Sequence, residues 1–313
     1  LDAPVSKLTK YRFKNTVFMN NLSTSSTLFS RNFSLNLNGR IVDLTTPAVM
    51  GIINATPDSF YHGNRVSDPA VAVELARVMN EQGAEILDVG AVSTRPGAEE
   101  VSTEEELNRL SPIVEAVRNA LPGCAISIDT WRSAVAKAMY RRFRIDMVND
   151  ISAGQMDPLM FSTIADLNIP YVMMHMQGTP QDMQKNPVYG NVVDELLEFF
   201  GRRVYELRRL GVNDVVIDPG FGFGKTLEQN YQLLRGLDTF RILELPVMVG
   251  ISRKSMIYKV LGTDPGQALN GTTAAHMAAL QGGASMLRVH DVREAVESVK
   301  IFQQIVNTPL SSV

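Results

Sequence analysis

Eight short apolar runs, each closing on a polar side chain able to do chemistry, constrain this chain more than any other feature. They read PAVMGIIN to Asn54, EILDVG to Asp88, AISID to Asp129 and DMVND to Asn149. Then follow YVMMH to His175, VVID to Asp218, VMVGISRK to Lys254, and MLRVHD carrying Arg288 and His290. A continuous apolar run of this length marks a strand buried on both faces, and a polar residue at its end marks where the strand opens into water. Helical patterns separate the runs. Eight buried strands alternating with helices predict an α/β fold, a (β/α)8 TIM barrel, whose site gathers at the C-terminal strand ends.

Composition agrees and narrows the function. A chain of 313 residues, 45% hydrophobic and 20% charged, is ordinary for a globular protein and long enough to fill a barrel core. The net charge of -3 gives no argument for nucleic acid or an anionic membrane as partner and leaves room for a local site for a small anion. No apolar run approaches the roughly 20 residues of a membrane helix. The single cysteine, Cys124, excludes an intramolecular disulfide framework and fits a reducing, cytoplasmic setting. It precedes the AISID strand, at the wrong end of a barrel for catalysis, and reads as packing.

Residues 1–33 are rich in Ser, Thr, Asn and Lys, with Asp2 their only acid, and are expected to form a poorly ordered extension. A transit peptide is the competing reading. Residues 34–313 show no composition break and are expected to form a single domain. The stretch 33–44, FSLNLNGRIVDL, alternates around Asn38-Gly39, which predicts a hairpin that would plug the N-terminal mouth of the barrel.

The helices are punctuated. Asp68 with Pro69 predicts a capped start, and Val71, Leu75, Val78 and Met79 supply apolar positions before Gly83. Ser102 with Glu105 predicts a capping box ahead of Leu107, Leu110, Val114 and Val117. Further helices are read at 132–142, 158–167, 192–210, 227–237, 272–281 and 292–306. A doubly wound open sheet is the rival fold. It would carry a glycine-rich turn after the first strand, where this chain has NATPDSF.

The strand-end loops carry motifs: NATPDSF from Asn54, LDVGAVSTRPGAE from Leu87, IDPGFGFGKT from Ile217, GISRKS from Gly250 and RVHD at Arg288. In this order, from about Phe33 onward, the chain closely resembles the dihydropteroate synthase family of pterin-binding TIM barrels. The resemblance implies a transferase of folate biosynthesis. It would condense 6-hydroxymethyl-7,8-dihydropterin diphosphate with 4-aminobenzoate to give 7,8-dihydropteroate and pyrophosphate.

The resemblance also implies roles. Asp129, Asn149 and Asp218 would pair with the polar edge of the pterin, with Lys254 on its acceptor atoms. Ile151, Met174 and Phe223 would form apolar walls, and Gly222 would allow close backbone approach. Arg288 and His290, two apart on one strand and so on one face, would bind the diphosphate, with Arg288 also stacking on the pterin. Asn54 would ligate Mg2+ together with diphosphate and water. Asp129, Lys254, Arg288 and His290 would carry catalysis. Phe60, Thr94, Arg95 and Pro96 would shape the aminobenzoate pocket, and Ser255, at a helix start, would meet its carboxylate. The partners are small molecules, and a homodimer is expected.

Simpler readings compete. Asp129 and Asp218 are each open to explanation as structural carboxylates paired with an arginine. His175 lies beside MHMQG and His276 in an apolar helix, and both read as structural. The scattered histidines and the lone cysteine form no zinc pattern. The chain departs from the family at His62, after TPDSF, and at Val92, in GAVSTRPG, positions where the family commonly carries acids. Alternatives of function are therefore a non-catalytic or weakly active pterin-binding paralogue, or a pterin-dependent methyltransferase. A barrel aldolase would instead need a Schiff-base lysine in mid-strand, whereas Lys254 follows a strand end.

Overall fold

The structure is a computed structural model that describes residues 33–55, 68–93, 101–183, 185 and 187–309. The 1–32 part of the N-terminal extension lies outside these residues, as do His62 and the loop positions Phe60, Thr94, Arg95 and Pro96.

Two faces of every apolar run find separate partners, which is why the runs are continuous rather than alternating. The runs form strands β3 (Ala48–Asn54), β4 (Ile86–Gly90), β5 (Ala125–Asp129), β6 (Met147–Asp150), β7 (Tyr171–Met174), β8 (Val215–Asp218), β9 (Met248–Val249) and β10 (Met286–Val289). All pairings among them are parallel. The hydrogen-bonded order is β8-β7-β6-β5-β4-β3-β10-β9. A single bridge, Ile217 with Val247, spans the remaining seam and brings the eight strands to a nearly closed barrel.

Side-chain alternation assigns the two faces. Met50, Ile86, Ala125, Met147, Val172, Val216, Met248 and Met286 point inward and pack together. Their neighbours Val49, Leu87, Ile126, Val148, Tyr171, Val215, Val249 and Leu287 point outward and join the core beneath the helices.

The predicted hairpin is present as β1 (Ser34–Leu37) and β2 (Arg40–Asp43), with Leu37 opposite Arg40. Asn38 and Gly39 both take positive φ, 52° and 92°, as a tight two-residue hairpin requires. Leu35, Leu37, Val42 and Leu44 pack on the inward layer at the N-terminal end, so the hairpin closes the bottom of the barrel. Each such buried leucine contributes about 1.5–3 kcal/mol relative to exposure.

The helices are α1 (Pro69–Glu81), α2 (Thr103–Ala120), α3 (Ser133–Phe143), α4 (Met160–Leu167), α5 (Val192–Arg209), α6 (Leu227–Arg235), α7 (Ser255–Leu261), α8 (Leu269–Gln281) and α9 (Val292–Asn307). Asp68 caps α1 by accepting from the Ala70 amide, with Pro69 in the first turn as expected.

Two local expectations are corrected. The buried face of α1 is Ala72, Ala76 and Met79, whereas Val71 and Val78 face solvent. The small residues allow close approach to β3: a Cβ at Gly51 would lie 2.8 Å from the Met79 sulfur. The capping box of α2 is only half formed. Ser102 accepts from the Glu105 amide, but the Glu105 carboxylate pairs with Arg109 instead.

Candidate active site

The inward positions just above the apolar layer are polar. Asp88, Asp129, Asn149, Asp218 and Arg288 each stand two or four residues beyond an inward apolar residue of their own strand, and so project into the upper barrel. Arg288 ties them together. Its Nε donates to Asp88 Oδ2 at 2.6 Å, and its Nη2 to Asp129 Oδ2 at 2.6 Å. Asn149 Nδ2 donates to the same Asp88 oxygen at 2.9 Å. The arginine partner expected of a structural carboxylate at Asp129 is therefore real, and it is itself a candidate site residue.

Asp218, Lys254 and Arg288 converge beside Gly250. A Cβ there would stand 3.9 Å from Asp218 Oδ2, from Lys254 Nζ and from Arg288 Cβ alike. Asp218 Oδ1 accepts from the Gly220 amide at 2.8 Å. Lys254 Nζ donates to the Phe221 carbonyl at 2.6 Å and stands 4.6 Å from the centre of the Phe223 ring. The lysine stem passes over Gly222, where a Cβ would come within 3.2 Å of Lys254 Cδ, so the expected close approach at Gly222 (φ +80°) serves this side chain.

Burial sets the protonation of the ring. It pushes Asp129 up to about 7, against the pull of Arg288 and with repulsion from Asp88 adding to the rise. It raises Asp218, which Lys254 opposes. Burial also pushes Lys254 down to about 8, opposed by Asp218. For Arg288, burial works against the charge, but Asp88 and Asp129 more than offset it and its pKa is raised.

Beside this ring runs an apolar wall. Ile151, Met174, Met176 and Met183 pack together with Trp131, Met156 and Phe223. The expected Ile151, Met174 and Phe223 thus share one surface. Asn54 ends β3 in line with Gly90 of β4, which in turn is in line with Asp129. His290 lies just beyond β10, its Nδ1 3.1 Å from Ser252 Oγ. Burial and the charge of Arg288 push it down to about 4, so its imidazole is neutral near pH 7. Arg253 forks onto both carboxylate oxygens of Asp291, locking the loop after β9 to the start of α9. Ser255 opens α7, half-buried and next to Lys254, and Val92 is half-buried just beyond β4.

His175 does not join the site. It follows the inward Met174 and therefore turns to the outer layer, edge-on to Phe199 with ring centres 4.8 Å apart. His276 is likewise buried in α8, and Cys124 is buried at the barrel bottom, its thiol pushed up to about 11 by burial.

Four residues given no site role from sequence belong to this architecture: Asp88, Trp131, Lys225 and Ser252. Asp88 was recoverable from parity, because in ILDVG it lies two residues past the inward Ile86. Trp131, the chain's single tryptophan, lies two past Asp129. Lys225 carried no such signal. It is 3% exposed and donates to the carbonyls of Gly220 and Phe223 at 2.9 and 3.0 Å, bracing the loop from below.

Such a ring can read a flat heterocycle with mixed donors and acceptors while a cationic edge holds an anion. The comparisons with known proteins point the same way. The model of the pterin binding enzyme family matches residues 50–290. A dihydropteroate synthase of Haemophilus influenzae is 42% identical over 272 residues, covering 86% of this chain and 98% of that protein. The Yersinia pestis dihydropteroate synthase, solved with a sulfonamide drug, superposes with a TM-score of 0.84 at 39% identity, covering 88% of this chain and all of the other. The Xanthomonas albilineans enzyme, solved with 4-aminobenzoic acid, gives a TM-score of 0.80 at 38% identity over 89% of this chain and all of its own. With this fold, this polar ring and these relatives, the chain belongs to the dihydropteroate synthase family of pterin binding enzymes.

Proposed function

We propose that this chain joins 6-hydroxymethyl-7,8-dihydropterin diphosphate to 4-aminobenzoate, releasing pyrophosphate and forming 7,8-dihydropteroate for folate synthesis. The observation that carries this reading is the convergence of Asp218, Lys254 and Arg288 beside Gly250, with Asp129 linked to the same arginine. Asp129, Asn149 and Asp218 offer paired polar groups to the pterin edge, and Lys254 donates to its acceptor atoms. Ile151, Met174 and Phe223 cover its faces, and Gly222 keeps the loop close.

In the reaction, the methylene–oxygen bond breaks with its electron pair leaving on the diphosphate. Positive charge develops on the dihydropterin methylene and spreads into the ring, where ionised Asp129 favours it. Arg288 and His290 donate to the departing anion, with His290 donating through a ring N–H. The aniline nitrogen, nucleophilic when neutral, then forms the carbon–nitrogen bond, and its surplus proton passes to water.

Magnesium fits this corner. Asn54 brings one hard side-chain oxygen, and a Mg2+ that takes its other ligands from diphosphate and water needs little more from protein. Asn54 would hold the ion there, and its charge would help offset that of the leaving pyrophosphate. Phe60, Thr94, Arg95 and Pro96 are assigned to the aminobenzoate pocket on the motif alone, with Ser255 facing the aminobenzoate carboxylate.

The reading includes a homodimer, testable by sedimentation at micromolar chain, and a cytoplasmic location, testable by fractionation. No described helix is long and apolar enough to cross a membrane. The deciding experiment is pyrophosphate release from dihydropterin diphosphate with Mg2+, with and without 4-aminobenzoate. Aminobenzoate-dependent formation of dihydropteroate is expected. Pterin binding with no such product at any Mg2+ concentration would reduce the chain to a binding protein.

A further inference from the structure

We infer that Asp88 is the positioning residue of this site: it anchors Arg288 by its Nε and dictates which end of the Asn149 amide faces the substrate. The inference rests on the reaction proposed above. Asp88 is fully buried on β4, and one of its oxygens, Oδ2, receives both Arg288 Nε at 2.6 Å and Asn149 Nδ2 at 2.9 Å. Three strands, β4, β6 and β10, thus meet at a single carboxylate oxygen.

Each contact has a consequence for substrate. An arginine held at Nε keeps its guanidinium plane while its two outer nitrogens stay available toward the mouth, where Nη2 reaches Asp129. One guanidinium faces two carboxylates. When the pterin edge takes Asp129, Asp88 still balances the arginine charge, so Arg288 can leave Asp129 without becoming an unpaired buried cation. An ionised carboxylate only accepts hydrogen bonds, so Asn149 must turn its NH2 toward Asp88 and present its carbonyl oxygen to the ligand. Asparagine at position 88 offers a donor as well as an acceptor and removes that constraint. The second Asp88 oxygen, Oδ1, and the hydroxyl of Ser127, its register partner on β5, have no hydrogen-bond partner among the described residues. The described residues thus commit Asp88 through Oδ2 alone, to the two groups it would position.

A double-mutant cycle on the full-length chain tests this: wild type, Asp88→Asn, Arg288→Lys and the pair, assayed for kcat and both KM values. Binding of 6-hydroxymethylpterin is measured by calorimetry in parallel, so the test survives if turnover itself is not found in the wild type. Asp88→Asn is expected to keep the wild-type circular dichroism and to lower kcat/KM for the pterin substrate, or pterin affinity, by about 10- to 100-fold. KM for aminobenzoate should stay within about threefold, and the combined loss in the double variant should be well below the product of the single losses. Losses that multiply, or that fall equally on aminobenzoate, overturn the inference. Should Asp88→Asn fail to fold, the Arg288 Nε proton of the wild type is followed by 15N NMR. Slow solvent exchange that persists on adding pyrophosphate and 6-hydroxymethylpterin supports the anchor, and free exchange overturns it.

Discussion

The Lys225 Nζ lies 3.3 Å from Nδ1 of His175, with both side chains buried beneath the loop that follows β8. Burial pushes His175 down to about 2, and the lysine charge adds to the effect. Burial also pushes Lys225 down to about 7, opposed by Asp218. This pair supports the backbone from Gly220 to Phe223 and so the floor under Lys254.

The neutral His175 has a pH signature. An unfolded histidine takes a proton below about pH 6.5, whereas the folded one stays neutral down to about 2. Between those values the unfolded state holds the extra proton, so the contribution of His175 to stability is present above pH 6.5 and is lost as pH falls. Glutamine takes no proton. Between pH 6.5 and 5, His175→Gln should therefore lose roughly 1.5–2 kcal/mol less stability than the wild type in urea unfolding. Parallel pH curves for the two proteins would mean that His175 is charged in the fold.

The loop above it leaves no room at Gly220. Its φ is +70°, and a Cβ would stand 2.0 Å from the His175 carbonyl oxygen. Gly220→Ala is expected to destabilise by about 3 kcal/mol or more and to abolish pterin binding. Gly123→Ala, where a Cβ meets nothing within 4 Å, should change stability by no more than about 0.5 kcal/mol. Urea midpoints of the two variants decide it.

Lys254→Ala is expected to leave the circular dichroism spectrum intact and to weaken pterin binding by about 10- to 100-fold, the worth of a hydrogen bond from a charged group. Turnover should be abolished. With Lys254 brought down to about 8, its charge is present below that pH and lost above it. Pterin affinity of the wild type should fall as pH rises through about 8, and this limb should be missing in the variant. Near-normal turnover in Lys254→Ala would remove it from the site.

Chelating Mg2+ with EDTA should abolish turnover and weaken binding of the diphosphate substrate, while affinity for 6-hydroxymethylpterin stays unchanged. Asn54→Ala should raise the Mg2+ concentration required for half-maximal rate. Full activity in EDTA would show that the leaving group departs with the help of side chains alone.

The barrel and its plug were legible because consecutive residues encode them. Asn38-Gly39 between alternating residues specifies a hairpin locally, and each apolar run specifies a strand buried on both sides. The apolar runs also carried the side chains of the polar ring, Asp88, Asp129, Asn149, Asp218 and Arg288. The faces of elements were harder to read. Val71 and Val78 on α1 look like core residues by hydrophobicity, yet Ala72 and Ala76 are buried because the helix packs close against β3 at Gly51. Among the strand ends, His175 differs from Asp218 only by parity: one position past an inward Met174, it faces out.

The sequence by itself determined the fold class, the hairpin and the set of polar groups brought to one end of the barrel, since periodicity and strand length are local properties. Tertiary structure decided which of those groups act together. Asp88 and Arg288 are 200 positions apart and His175 and Lys225 are 50 apart, yet each pair is in contact. Those partnerships follow from strand register and closure of the ring, which set neighbours across the barrel. No spacing along the chain records them.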